Sequence, residues 1–135
     1  MEEVVKEINA QRLVLDSINL FLMLFKTEDE KRLALAELSE KLRKLGCTSL
    51  ITCEVKEQSM DISRHGFEEF VVDGVIALYN IKQRQSFIQG ITIRKMRGVG
   101  HHREIRPYEI TDKGIIVYPN KVLKVTRAGV FEEHV

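Results

Sequence analysis

"TEDEKRLALAELSEKLRKLG", residues 27–46, carries helix signals at both ends. Thr27 with Glu30 three places on makes a capping box, and Glu28 and Asp29 suit the positive end of a helix dipole. Leu35, Leu38, Leu42 and Leu45 fall on one apolar stripe. Lys41, Arg43 and Lys44 gather at the negative end, and Gly46 offers a left-handed stop. Compact apolar runs stand on either side: "QRLVLDS" (11–17) before it and "CTSLITCE" (47–54) after it. Both have the pattern of strands buried on two faces. Strand, helix and strand in this order imply a right-handed parallel βαβ crossover, so the fold class is α/β.

Working outward, "EEVVKEINA" (2–10) sets Val4, Val5 and Ile8 at helical spacing and predicts a short helix. "INLFLMLFK" (18–26) leaves the first strand into a short helix or loop, and "VKEQSMDISRHG" (55–66) reads as a polar loop. "VVDGVIALYNI" (71–81) and "FIQGITIRKM" (87–96) are two strands around "KQRQS", an antiparallel hairpin. "RPYEITDKGIIVY" (106–118) adds two short strands about a tight turn at Asp112-Lys113-Gly114. The last stretch, "NKVLKVTRAGVFEEHV" (120–135), fits either a further strand or a trailing tail. The expected organisation is one domain, with a core over 1–73, an antiparallel extension over 74–119 and a tail over 120–135.

The chain has 135 residues, 44% hydrophobic and 30% charged, which suits one ordinary globular domain and not a disordered one. Its 21 basic and 20 acidic side chains give no global field for nucleic acid or membrane, so electrostatic function must come from local clusters. The greasiest window, "LVLDSINLFLMLF", is interrupted by Asp16 and Asn19 and is too short to span a bilayer. No secretory signal is visible. Cys47 and Cys53, on one face of a strand, would stand about 20 Å apart, beyond disulfide reach. They are expected to be buried thiols in a reducing cytoplasm.

Three groups of residues carry the chemistry. Asp16 closes an apolar strand, the place where open α/β sheets bind ligands and where a carboxylate holds a nucleotide's Mg²⁺ through water. Capping a turn is the plainer role for the same aspartate. Thr52 and Glu54 end the next parallel strand, beside Asp16 if the strands are neighbours, and a polar residue there can sense a γ-phosphate through water. The third group is "RKMRGVGHH" (94–102), with Arg103 following. Alternation sends Lys95 and Arg97 to one face, Gly98 and Gly100 allow close backbone approach, and His101 and His102 can donate hydrogen bonds. Such cations suit phosphate oxygens, and the absence of interleaved aromatics disfavours nucleic-acid stacking. A solvated hairpin end is the plainer alternative. His65 reads as a loop residue. No Ser-His-Asp order, nucleophile elbow or paired-carboxylate motif supports a hydrolase of esters or glycosides.

Taken in order, "RLVLDSINLFLML", the capped helix, "SLITCE", "GFEEFVVDGVIALY", "IRKMRG" and "PYEITDKGIIVYP" resemble the KaiC-like branch of the RecA-superfamily ATPases. The likeness is to the second half of that domain and runs from about Met1 to Pro119. It implies a partial RecA-like core with an antiparallel hairpin extension, binding ATP between subunits of a ring. By this resemblance Asp16 matches the Walker B aspartate that helps hold Mg²⁺. Lys95, Met96, Arg97 and Gly98 match a "K-hydrophobic-R-G" motif that reaches a neighbour's phosphates. His101, Thr111 and Asp112 fall where family members also approach the neighbouring nucleotide.

Two departures qualify this. The common "RGT" with a following polar residue and His is "RGVGH" here, so Val99 lacks the threonine hydroxyl. No G-x-x-x-x-G-K-[ST] occurs in the 135 residues, so there is no phosphate-cradling loop. The polypeptide by itself is therefore expected not to hydrolyse ATP. An unpaired strand position beside Asp16 would favour self-assembly or docking onto a protein supplying a P-loop half. The rival readings are a stand-alone interaction or regulatory module for a partner ATPase and, with least support, a DNA-binding recombinase-like fragment.

Overall fold

A computed structural model describes residues 2–55, 71–83, 85–126 and 129–135. The expected polar loop, with His65, lies outside the described residues beyond Val55. The chain divides into two compact units, Met1–Val72 and Asp73–Val135.

In the first unit, α1 (Glu2–Glu7) precedes β1 (Arg12–Leu15), α2 (Ile18–Leu22), α3 (Glu28–Lys44) and β2 (Thr48–Ile51). The capping box of α3 is formed. The Glu30 amide donates to Thr27 Oγ1 at 3.2 Å, and the Thr27 amide donates to Glu30 Oε2 at 3.0 Å. Gly46 ends the helix at φ +70°, a left-handed conformation that glycine adopts without strain. The predicted stripe becomes the core. Leu35, Leu38 and Leu42 cluster with Ile18 and Leu22 of α2, while Leu13, Leu15, Leu45 and Ile51 pack around them. Each fully buried aliphatic side chain contributes about 1.5–3 kcal/mol through removal from water.

β1 and β2 pair in parallel, Arg12 with Thr48 through Leu15 with Ile51. They are not buried on both faces, as their composition suggested. Leu13, Leu15 and Ile51 turn to the helices, but Val14 is 67% exposed and Leu50 56%. Among the described residues the helices pack on one side of this two-strand sheet, and whether a strand's second face is covered is not encoded in the strand itself. Cys47 and Cys53 form no disulfide, as expected, but they are half-buried and not enclosed.

The second unit is a meander. β3 (Gly74–Gln83), β4 (Ser86–Met96), β5 (Arg106–Thr111) and β6 (Gly114–Val117) form one antiparallel sheet in chain order. The turn between β5 and β6 is tight, with Thr111 paired to Gly114. The undecided tail forms a second hairpin, β7 (Lys121–Thr126) and β8 (Gly129–His134). Its Val122, Leu123 and Val130 are buried, the Leu123 amide donates to the Ile105 carbonyl at 2.8 Å, and Gln83 Nε2 donates to the Val130 carbonyl at 2.9 Å. Gly90 is required by this packing. A Cβ there would stand 2.5 Å from Ile105 Cγ2 and 3.1 Å from Leu123 Cδ1.

Candidate functional site

Asp16 follows β1 directly and is exposed; the peptide joining it to Ser17 is cis. Parallel pairing brings Thr52 alongside, and the Thr52 hydroxyl donates to Asp16 Oδ1. The backbone continues the lock: Thr52 N–H donates to the Leu15 carbonyl at 3.0 Å, and Ile18 N–H to the Thr52 carbonyl at 2.9 Å. Glu54 is exposed and fixed through its backbone by Asn19. The Glu54 amide donates to Asn19 Oδ1 at 2.7 Å, and Asn19 Nδ2 returns a bond to the Glu54 carbonyl at 3.0 Å. Asn19 is 6% exposed, so this clamp is part of the packed core.

Sequence reasoning missed Asn19, reading it only as an interruption of an apolar run. A polar residue at helical spacing from Leu22, one turn after a strand-ending Asp, was the signal available. The strand-end group therefore comprises an exposed carboxylate oriented by a hydroxyl, beside a strand end held by a buried amide. Among the described residues no three His, Cys, Asp or Glu side chains gather at metal-ligand spacing. That donor set suits a hard cation that takes most of its oxygens from water and a phosphate ligand, and does not suit a metal caged by protein alone.

The basic stretch occupies the end of β4 in the second unit. The ladder pairs Ala77 with Thr92 and Ile76 with Ile93, then shifts register between Val75 and Ile76, leaving Arg94 as the extra residue of a β-bulge. Val75 then pairs with Lys95 and Gly74 with Met96. The Arg97 amide donates to the Asp73 carbonyl at 2.8 Å. A one-residue bulge exchanges the faces, so Lys95 and Arg97 lie on the face of Val75, Ala77 and Tyr79, opposite Ile91 and Ile93. Alternation from Lys95 to Arg97 is intact because the bulge precedes both.

Met96 takes the other face, its sulfur 3.0 Å from where a Cβ on Gly74 would stand. Arg97 Nη1 donates to Asp73 Oδ1 at 2.8 Å. Gly98 turns at φ +74°, and Gly98 and Gly100 have open space where a Cβ would be. Val99 and His102 are exposed, and His101 is half-buried with Nδ1 3.2 Å from the His102 carbonyl. At the far end of the loop, buried Thr92 donates its hydroxyl to the Arg103 carbonyl at 3.1 Å.

Thr111 and Asp112 do not join this group. β5 runs antiparallel to β4 from the Ile91–Arg106 pair, so its tip and the basic stretch leave that pair in opposite directions. At the tip, Thr111 Oγ1 accepts from the Lys113 amide at 3.2 Å and donates to the Gly114 carbonyl at 3.0 Å, which binds the hydroxyl into its own turn.

The family model described as "ATPase: KaiC" matches residues 1–122. The circadian clock oscillator protein KaiC of Synechococcus elongatus is 30% identical over 123 residues, 91% of this chain and 24% of that protein. A UPF0273 protein of Pyrococcus furiosus is 33% identical over 132 residues, 98% of this chain and 51% of that protein. Among solved structures, a KaiC-like protein from the hyperthermophilic archaeon Pyrococcus horikoshii superposes with a TM-score of 0.77 at 38% identity, covering 87% of this chain and 51% of that one. The chain thus spans between a quarter and a half of the length of these relatives. No helix among the described residues is long and apolar enough to cross a membrane.

Proposed function

The chain belongs to the KaiC family of ATPases, and from that premise we propose that it is the second half of an ATP-binding domain, acting at an interface between subunits. The observation that carries the reading is the strand-end group of Asp16 and Thr52, with Asn19 holding Glu54 behind it. Asp16 is the Walker B aspartate of the proposal. An exposed carboxylate, oriented by the Thr52 hydroxyl, is suited to hold water on the Mg²⁺ of a nucleotide. That ion, when bound with ATP, supplies charge neutralisation of the phosphates. Thr52 and Glu54, kept in place by the Asn19 clamp, are the proposed sensors of the terminal phosphate.

The same proposal makes Lys95, Met96, Arg97 and Gly98 the trans contact to a nucleotide held mainly by another copy or by a partner. Lys95 and Arg97 supply charge, Met96 anchors the strand end on Gly74, and Gly98 permits close approach. His101 sits on the same loop. Thr111 and Asp112, on a tip that points the other way, form a second point of contact with the neighbour. The chain then works as one partial domain, in a homo-oligomer or with a protein that brings a G-x-x-x-x-G-K-[ST] loop, and does not hydrolyse ATP by itself.

Nucleotide binding by the purified chain, alone and with a co-expressed polypeptide carrying such a loop, tests this. Mg²⁺-dependent ATP binding only in the mixture, lost in Asp16→Ala, is the expected result. ATP binding in the mixture that ignores Asp16→Ala, or phosphate release by the chain alone that Asp16→Ala abolishes, overturns it. A second reading is a regulatory module that docks on a partner ATPase. It predicts complex formation in which Asp16→Ala is silent.

A further inference from the structure

We infer that Asp73 is a positioning residue for Arg97, holding its guanidinium in the direction from which it meets phosphate; this rests on the proposed phosphate contact of Arg97. Three features of the hairpin base converge on the pair. The bulge at Arg94 moves Arg97 onto the face of β3 that Asp73 shares with Val75. Without the extra residue, Arg97 would lie on the face of Ile91 and Ile93, away from the carboxylate. Met96, seated over Gly74 on the opposite face, keeps the two strand ends in register. The Arg97 amide and its guanidinium both bond to Asp73, each at 2.8 Å, so backbone and side chain are tied to one residue.

The ion pair is poorly placed to stabilise the fold. The Arg97 side chain is 56% exposed and that of Asp73 is 69% exposed, where ion pairs are worth little. Its effect on geometry is larger. Arginine is a long side chain that loses much rotamer freedom when it is fixed, and a carboxylate on Nη1 removes part of that cost before phosphate arrives. A guanidinium carries five donors in a rigid fork, so an edge held by Asp73 aims the others. Gly98 then turns the chain away at φ +74°, and the backbone beside the guanidinium stays free of side-chain bulk.

Charge and positioning predict opposite signs, which makes the role testable in the chain as it stands. Inorganic tripolyphosphate is titrated into ¹⁵N-labelled protein while the Arg97 Nε–Hε signal and the 95–98 amides are followed. Saturable shifts in the unaltered chain, lost in Arg97→Ala, are expected. Asp73→Asn removes a repelling charge, yet is expected to weaken binding by about three- to tenfold and to raise the mobility of Arg97 Nε, because a fixed fork becomes a free one. Asp73→Glu, which restores a carboxylate, is expected to recover part of both. Amide spectra of the variants matching the unaltered chain show that the fold is retained, as two exposed side chains permit. Tripolyphosphate binding that is unchanged or tighter in Asp73→Asn, with Arg97 still the site, overturns the positioning role alone. A chain whose Arg97 signal does not respond at all overturns the phosphate contact, and Asp73's role with it.

Discussion

The two strand ends that carry the proposed chemistry are built in opposite ways. At the Asp16 end, polar groups are tied into the core: a 6%-exposed asparagine bonds twice to the backbone of Glu54, and Thr52 reaches Asp16 from a paired strand. At the Arg97 end the loop is exposed, rich in glycine, and clipped at its two limits by Asp73 and Thr92. The first arrangement makes geometry a by-product of folding. The second leaves the aim of the guanidinium to an exposed ion pair that adds little to folding. Substitutions near Asp16 should therefore register in stability and site together, while those near Arg97 should separate the two.

The largest expected effect tests the core beneath the first site. Leu35→Ala should destabilise the first unit by about 2–5 kcal/mol in urea melts, and a smaller loss would mean the α3 stripe does not carry that end. Asn19→Ala should cost about 1–3 kcal/mol by leaving the Glu54 amide and carbonyl without partners. It should also shift the amide signals of 52–54. In the second unit, Gly90→Ala should cost about 1–3 kcal/mol through overpacking against Ile105 and Leu123, seen by melting. Thr27→Ala should cost about 1 kcal/mol through loss of the cap.

Glu30 adds a pH signature to that cap. Its carboxyl is held below the usual range, chiefly by the Thr27 amide and then by that of Lys26. A depressed folded value means its stabilisation is complete above the usual carboxylate range and fades as pH falls through the folded value. Glu30→Gln should flatten that acid limb. Smallest of all in stability, Arg97→Ala should change it by no more than about 0.5 kcal/mol, since its ion pair is exposed. A cost above about 1 kcal/mol would erase the contrast between the two ends.

The sequence was most legible where the cause of structure is local. The Thr27–Glu30 box, the leucine stripe, Gly46 and the Asp112-Lys113 turn need no partner beyond a few residues away, and each formed where read. The shared face of Lys95 and Arg97 followed from alternation, but which face it is depends on the bulge at Arg94, and composition does not announce a bulge. Asp73 and Asn19 went unread for the same reason. Each acts on a residue far along the chain, at Arg97 and Glu54, and only register brings them together. Val14 and Leu50 mark the opposite error: strand composition speaks of burial, yet among the described residues these two side chains are 67% and 56% exposed.

The strand order of the second unit, β3-β4-β5-β6, follows chain order. Every sheet neighbour is also the next strand to be synthesised, so each pairing closes a short loop and the loop-closure entropy is met in small instalments. β1 and β2 meet only after all of α2 and α3 have passed between them. In a refolding experiment with pulse-labelled amides, the long β3–β4 ladder should therefore gain protection ahead of the parallel pair. The arm that carries Arg97 would be assembled before the strand end that carries Asp16.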